Sequence, residues 1–140
     1  MSIERYRDLV EQLAAQFVLV DAQDSEQVTR LHAYGSQFSL YFGGVLSPDS
    51  VLLHCDFGDV PLAAREPILR RLLELNTYLF SIRHSAFTYD AGRDCIVLMC
   101  RFDLAQATLA LLKDVFVDVA AMTHQWRGDH FLAAQTTSFH

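Results

Sequence analysis

An α+β domain, with an antiparallel sheet flanked by helices in the order helix, three-strand meander, helix, two-strand hairpin, helix, is predicted by three features of this sequence. Apolar residues recur at helical spacing in three stretches, Ile3 to Phe17, Ile68 to Phe80 and Leu104 to Met122. Between them lie short segments in which apolar and polar residues alternate, the mark of a half-buried strand. Gly, Pro, Asn and Asp then punctuate the boundaries, where chain reversals need them.

The first helix opens after Ser2, a residue suited to capping. It carries Ile3, Tyr6, Leu9, Val10, Leu13 and Phe17 on one face, and Glu4, Arg7, Asp8, Glu11 and Gln12 on the other. The polar stretch Asp21 to Gln27 breaks the pattern. Strands are expected at Val28 to Ala33, Gln37 to Phe42 and Val51 to Phe57, joined by Tyr34-Gly35-Ser36 and by a turn from Gly43-Gly44 to Pro48-Asp49. Gly58-Asp59-Val60-Pro61 closes this meander, and Pro67 fits the first turn of a second helix, where a missing N–H costs little.

That second helix is expected to run to about Phe80. Ile68, Leu69, Leu72, Leu73, Leu75, Leu79 and Phe80 cover an arc of roughly 160°, wider than packing on one sheet requires. Asn76 lies inside the arc, where it either bonds to backbone or serves a two-fold interface. Strands near Ala86 to Tyr89 and Cys95 to Phe102 flank Asp90-Ala91-Gly92-Arg93-Asp94, with Gly92 suited to the turn. The second is apolar on both faces at Ile96-Val97-Leu98-Met99, which fits a central or interface strand. Asp103, with Gln106 three residues on, reads as the capping pair of the last helix. Leu104, Leu111, Leu112, Val115, Val119 and Met122 form its stripe, and Gly128 ends or bends it.

A chain of 140 residues has the size of one domain. The expected division is a domain over 1–127 and a C-terminal tail over 128–140 with no structure assigned. The net charge of -6 argues against a nucleic-acid partner, which would need Lys and Arg to displace counterions. No apolar run reaches the roughly 20 residues that span a bilayer, and Met1-Ser2-Ile3-Glu4-Arg5 does not resemble the start of a secretory signal, so a cytoplasmic protein without a membrane partner is expected.

Chemical signatures are absent. Cys55, Cys95 and Cys100 are odd in number with no C-x-x-C spacing, so reduced, buried thiols are expected. His54-Cys55-Asp56 resembles a thiol catalytic set, but neighbours on a strand point to opposite faces. His32, His54, His84, His124, His130 and His140 form no metal-binding spacing, and Gly43-Gly44 has neither the Lys nor the helix start of a phosphate loop. The sequence therefore predicts no catalysis, no metal and no cofactor.

Tyr6-Arg7-Asp8-Leu9-Val10, Leu53-His54-Cys55-Asp56-Phe57-Gly58 leading to Val60-Pro61, and Leu72-Leu73-Glu74-Leu75-Asn76 resemble the first-helix opening, the strand ending before a Pro-containing turn, and the leucine-rich second helix of the Tir chaperone family. These are the class I type III secretion chaperones. Ile96-Val97-Leu98 with Arg101-Phe102-Asp103-Leu104 is similar to that family's last strand entering its third helix, so the resemblance runs from about Ile3 to Trp126. It implies a homodimer built on the second helix, with Leu69, Leu72, Leu73, Asn76, Leu79 and Phe80 at the interface. It also implies apolar grooves for a secreted effector, at Tyr6, Val10, Leu13 and Phe17 on the first helix and at Val28, Leu31, Phe38, Leu40 and Phe42 on the facing strands.

The implied function is to bind an effector's N-terminal segment and keep it soluble and export-competent, with the secretion ATPase as a further partner. Because ordering a flexible segment costs several kcal/mol, such binding needs a wide wrapped surface, and no small-molecule site is expected. The alternative is an interaction or regulatory domain of the same fold with no export role.

Overall fold

The computed structural model describes residues 2–20, 28–43 and 47–132, without the side chains of residues 2, 82 and 83. Helix α1 (Ser2–Gln16) is followed by β1 (Val18–Leu19), β2 (Val28–Ala33), β3 (Ser36–Phe42) and β4 (Ser50–Gly58). Then come α2 (Arg65–Arg83), β5 (Ser85–Asp90), β6 (Cys95–Asp103) and α3 (Leu109–Asp129). The α+β order read from periodicity is thus present. The polar stretch 21–27, part of the turn after β3 and the tail beyond Leu132 lie outside the described residues.

All strand pairs are antiparallel, and the sheet order is β1-β2-β3-β4-β6-β5. β6 therefore lies between β4 and β5, which accounts for its apolar residues on both faces: Ile96, Val97 and Leu98 are all buried. β1 was not legible in the sequence. Its two residues pair Val18 with His32 and Leu19 with Leu31, and two residues are too few to show an alternation.

The β2–β3 hairpin turns on Tyr34 and Gly35, whose φ values of 52° and 81° are both positive. A two-residue turn of that hand matches the strand twist, and glycine at the second position removes a Cβ from the strained conformation. The β5–β6 turn departs from expectation. Asp94, not Gly92, takes the positive φ of 50°, while the Asp90 carboxylate accepts from the Gly92 and Arg93 amides at 3.0 and 3.3 Å. Asp90 thereby holds the turn by a side chain, and Gly92 is not needed in the left-handed region.

One face of the sheet packs on α1 and α3. Phe38 of β3 lies 4.6 Å, ring to ring, from Phe116 of α3, which also meets Phe17 at 5.5 Å. Tyr6 stacks on Phe42 at 5.3 Å, and its hydroxyl bonds to Thr29 Oγ1 and to the Leu40 carbonyl at 3.1 and 3.2 Å, so a fully buried phenol leaves no unmet polar atom. Arg5 of α1 donates to the carbonyls of Leu104 and Ala105, fastening the helix to the chain that leads into α3.

Helix α2 covers the β5 edge. Asn76 Nδ2 donates to the Phe87 carbonyl at 3.2 Å, and the Phe87 amide donates to Asn76 Oδ1 at 2.7 Å. One side chain thus takes the place of a missing neighbouring strand, so Asn76 bonds to backbone as the first of its two readings had it. Asn76→Ala strands both backbone groups and is expected to cost about 1 to 3 kcal/mol. Urea denaturation checks this, and exchange of the Phe87 amide should quicken more than that of its neighbours on β6.

The beginning and end of α3 both correct the sequence reading. Asp103 makes no cap: it closes β6 opposite Ser50, and Leu104–Gln106 form a 3-10 turn. The cap is Thr108, whose hydroxyl accepts from the Leu111 amide at 3.1 Å. Gly128 does not end the helix, which runs one residue further to Asp129 and stops at His130, φ 55°. Phe131, placed in the tail by the sequence, is buried against Trp126, Phe57 and Phe87 at ring distances of 5.7 to 6.4 Å. Buried Arg71 of α2 donates to its carbonyl at 3.3 Å.

Candidate protein-binding surfaces

The core of this fold needs only part of the apolar arc on α2. Ile68, Leu72 and Leu75 point inward and are buried, and Leu69 and Leu79 pack partly against them. Leu73 and Phe80 are left 70% and 65% exposed. They lie seven residues apart, on a line with half-buried Leu69 and Asn76, so positions 69, 73, 76 and 80 form one stripe along the outside of the helix. The proposed interface set therefore divides. Leu69, Leu73, Asn76 and Phe80 share the outer stripe, whereas Leu72 belongs to the core of its own chain and Leu79, seven residues on, shares its face and is partly buried against that core.

The residues assigned to effector grooves divide as well. Tyr6, Leu13, Leu31, Phe38 and Leu40 are fully buried between α1, α3 and the sheet and form no open groove in this chain. Val10 of α1, Phe17 just after that helix, Val28 of β2 and Phe42 of β3 are half-buried and reach the surface. The surface near Phe17 is completed by residues that the sequence reading missed: Val18 and Val20, 72% and 43% exposed, and Tyr34, whose ring is 5.8 Å from that of Phe17. The run Phe17-Val18-Leu19-Val20 was the available signal, an apolar stretch continuing past the last helical turn.

The two sheet edges differ. At β5 the backbone of Phe87 is satisfied by Asn76. At β1, the other outermost strand, Val20 donates inward to the Arg30 carbonyl at 2.9 Å, and the far side of the strand pairs with no other described strand. An edge that no other described strand covers, flanked by exposed apolar side chains, is a template for strand addition.

Cys55 and His54 lie on opposite faces of the sheet. Cys55 faces the core on β4, and burial pushes its thiol up from the ordinary 9.0 to about 12, which keeps it protonated and poorly nucleophilic. His54 faces the other side of the sheet, its ring 4.5 Å from that of Tyr41, and burial also lowers its pKa. Cys55 is thus expected to resist iodoacetamide at pH 8 until the protein unfolds. Alkylation of the native protein followed by peptide mass analysis checks this. Among the described residues no three His, Cys, Asp or Glu side chains gather as a metal site, and no helix is long and apolar enough to cross a membrane.

The fold and its surfaces describe a binding protein: an antiparallel sheet backed by helices, with an apolar helical stripe and an apolar sheet edge that no other described strand pairs with. Residues 8–127 match the Tir chaperone protein (CesT) family, and the chain belongs to that family. No curated protein sequence matches it. Among solved structures it is similar to the ExsC-ExsE complex, at a TM-score of 0.69 and 18% identity over 92% of this chain and 95% of the other. The type III secretion chaperone SycH of Yersinia pestis, solved with a fragment of YscM2, aligns at 0.63 and 12% identity over 89% and 98%. YbjN of E. coli, a candidate transcription regulator, aligns at 0.52 and 13% identity over 94% and 90%, so the fold reaches beyond secretion chaperones.

Proposed function

We propose that this protein is a cytoplasmic chaperone that binds the N-terminal segment of a type III secretion effector as a homodimer and catalyses no reaction. Membership of the Tir chaperone family supports the reading, and the single observation that carries it is the pair of exposed apolar surfaces. Leu73 and Phe80 on α2 serve the two-fold contact. Val10, Phe17, Val28 and Phe42, with Val18, Val20 and Tyr34, hold the effector. An extended segment gains main-chain hydrogen bonds along β1 and places alternate side chains on these residues. Binding a segment in extended form delays its folding and leaves it ready for export.

Affinity purification of the tagged protein from its host under secretion-inducing conditions, followed by mass spectrometry, tests the reading. A stoichiometric partner bound through its N-terminal region and later recovered outside the cell is expected. Co-elution of resident cytoplasmic proteins alone would favour the second reading, a regulatory domain without an export role, for which the likeness to YbjN is the specific ground.

A further inference from the structure

The face of the sheet turned away from α1 and α3 carries a histidine near its centre. His54 of β4 lies between Ser39 of β3 and Met99 of β6, its direct partners in register, and its ring is 4.5 Å from that of Tyr41. Its Nε2 is closed off from solvent and has no hydrogen-bond partner among the described residues. A neutral ring bears this as one unmet nitrogen. An imidazolium carries N–H on both nitrogens, and the enclosed one then becomes a charged donor without an acceptor.

Asp56, two residues along β4 on the same face, is the carboxylate beside it. Both of its oxygens are held by the Arg93 guanidinium of the β5–β6 turn, at 2.5 and 3.1 Å. Arg101 of β6, opposite Leu52, and Arg30 of β2, opposite Ser39, add positive charge to that face, and Tyr41 of β3 adds a phenol. Burial lowers the His54 pKa from its ordinary 6.5, while Asp56 raises it and Arg93 lowers it.

Arg93 has a second carboxylate in reach. It donates to Asp90 at 2.9 Å, so the turn keeps its own ion pair whether or not Asp56 is engaged. What Asp56 adds is the link from the turn to β4. The same turn also meets the start of α2, where Arg65 donates to the Tyr89 hydroxyl at 3.3 Å and to Asp94 at 3.5 Å.

We propose that His54 is an acid-sensitive catch on the β5–β6 turn: when its ring gains a proton, Asp56 turns to the imidazolium and releases Arg93. The turn, and the start of α2 that rests on it, then lose their tie to β4. The device needs no cargo and goes beyond the chaperone reading. Its sign follows from the lowered pKa: the unfolded chain takes up the proton first, so stability declines as pH falls through 6.5 and levels off below the folded value. Asp90 and Asp94, whose pKa values are held below 3.8 by Arg93 and by Tyr89, act in a separate and more acidic window.

The test is a titration of the full isotope-labelled chain from pH 8 to pH 5 by nuclear magnetic resonance. The His54 ring should titrate with a midpoint below 6.5, and the amides of Gly92, Arg93 and Asp94 should shift with the same midpoint. His54→Gln should remove that response of the turn, together with the fall in the urea midpoint that His54 contributes over the same range. Arg93→Gln frees Asp56 in advance and should raise the His54 midpoint by about one unit; it keeps the test open if His54→Gln does not fold. A His54 midpoint at or above 6.5, turn amides that do not follow it, or the same turn response in His54→Gln would overturn the proposal. So would an unchanged His54 midpoint in Arg93→Gln.

Discussion

Leu73→Asp combined with Phe80→Asp should yield a folded monomer. Both side chains are mostly exposed on the isolated chain, so neither substitution disturbs its core, and circular dichroism should be unchanged. Burying a leucine or phenylalanine contributes about 1.5 to 3 kcal/mol, and a two-fold contact counts each loss twice. Each introduced carboxylate would also have to be desolvated in the contact, adding a charge-burial cost to the lost apolar burial. Dissociation by several orders of magnitude follows, read by light scattering at micromolar concentration. A dimer of undiminished mass would remove α2 from the interface. Leu72→Asp cannot make this distinction, because Leu72 is buried in its own chain and a charge there unfolds the monomer.

Phe131→Ala should destabilise the protein by about 3 to 5 kcal/mol, the range for emptying a buried aromatic site. Phe131 is 4% exposed and closes a cluster with Trp126, Phe57 and Phe87, and its carbonyl receives the buried Arg71 guanidinium. The change removes the ring that holds the chain after α3 against β4 and β5, and with it the reason for the backbone to present that carbonyl to Arg71. In a chain of this length the midpoint of thermal unfolding should fall by roughly 10 °C. Phe131→Leu should recover most of the loss. A midpoint within a degree of the unaltered protein would mean that this turn is not part of the core.

These two positions mark the limits of what the sequence discloses. Periodicity located α1, α2 and α3 and five of the strands because each is long enough to repeat its pattern. It could not show β1, which has two residues, nor that Phe131 folds back, because Phe131-Leu132 beyond the helix is too short to carry a period. The Asp103 cap failed for a related reason. Asp103 and Gln106 have capping spacing, but β6 keeps Asp103 paired with Ser50, so the chain turns through Leu104–Gln106 before Thr108 can start the helix.

Site residues are harder still to read from spacing. Periodicity tells which side of an element is apolar and not what lies over it. Tyr6, Leu13, Leu31, Phe38 and Leu40 were apolar on the correct faces, yet α1 and α3 close over them. Val10, Phe17, Val28 and Phe42 sit nearer the rim and remain partly open. On α2 the surplus of the arc was legible, because the arc exceeded what one sheet can cover. Which residues formed the surplus became clear only when Ile68, Leu72 and Leu75 were seen facing the core.

The central claim, that this chain escorts a protein to export, is tested most directly in the host by deleting its gene and measuring the co-purifying protein inside and outside the cell. The account predicts that this protein disappears from the medium and falls in abundance within the cell. The unaltered chain should restore both, and the Leu73→Asp, Phe80→Asp chain should restore neither. Undiminished export in the deletion strain would contradict it.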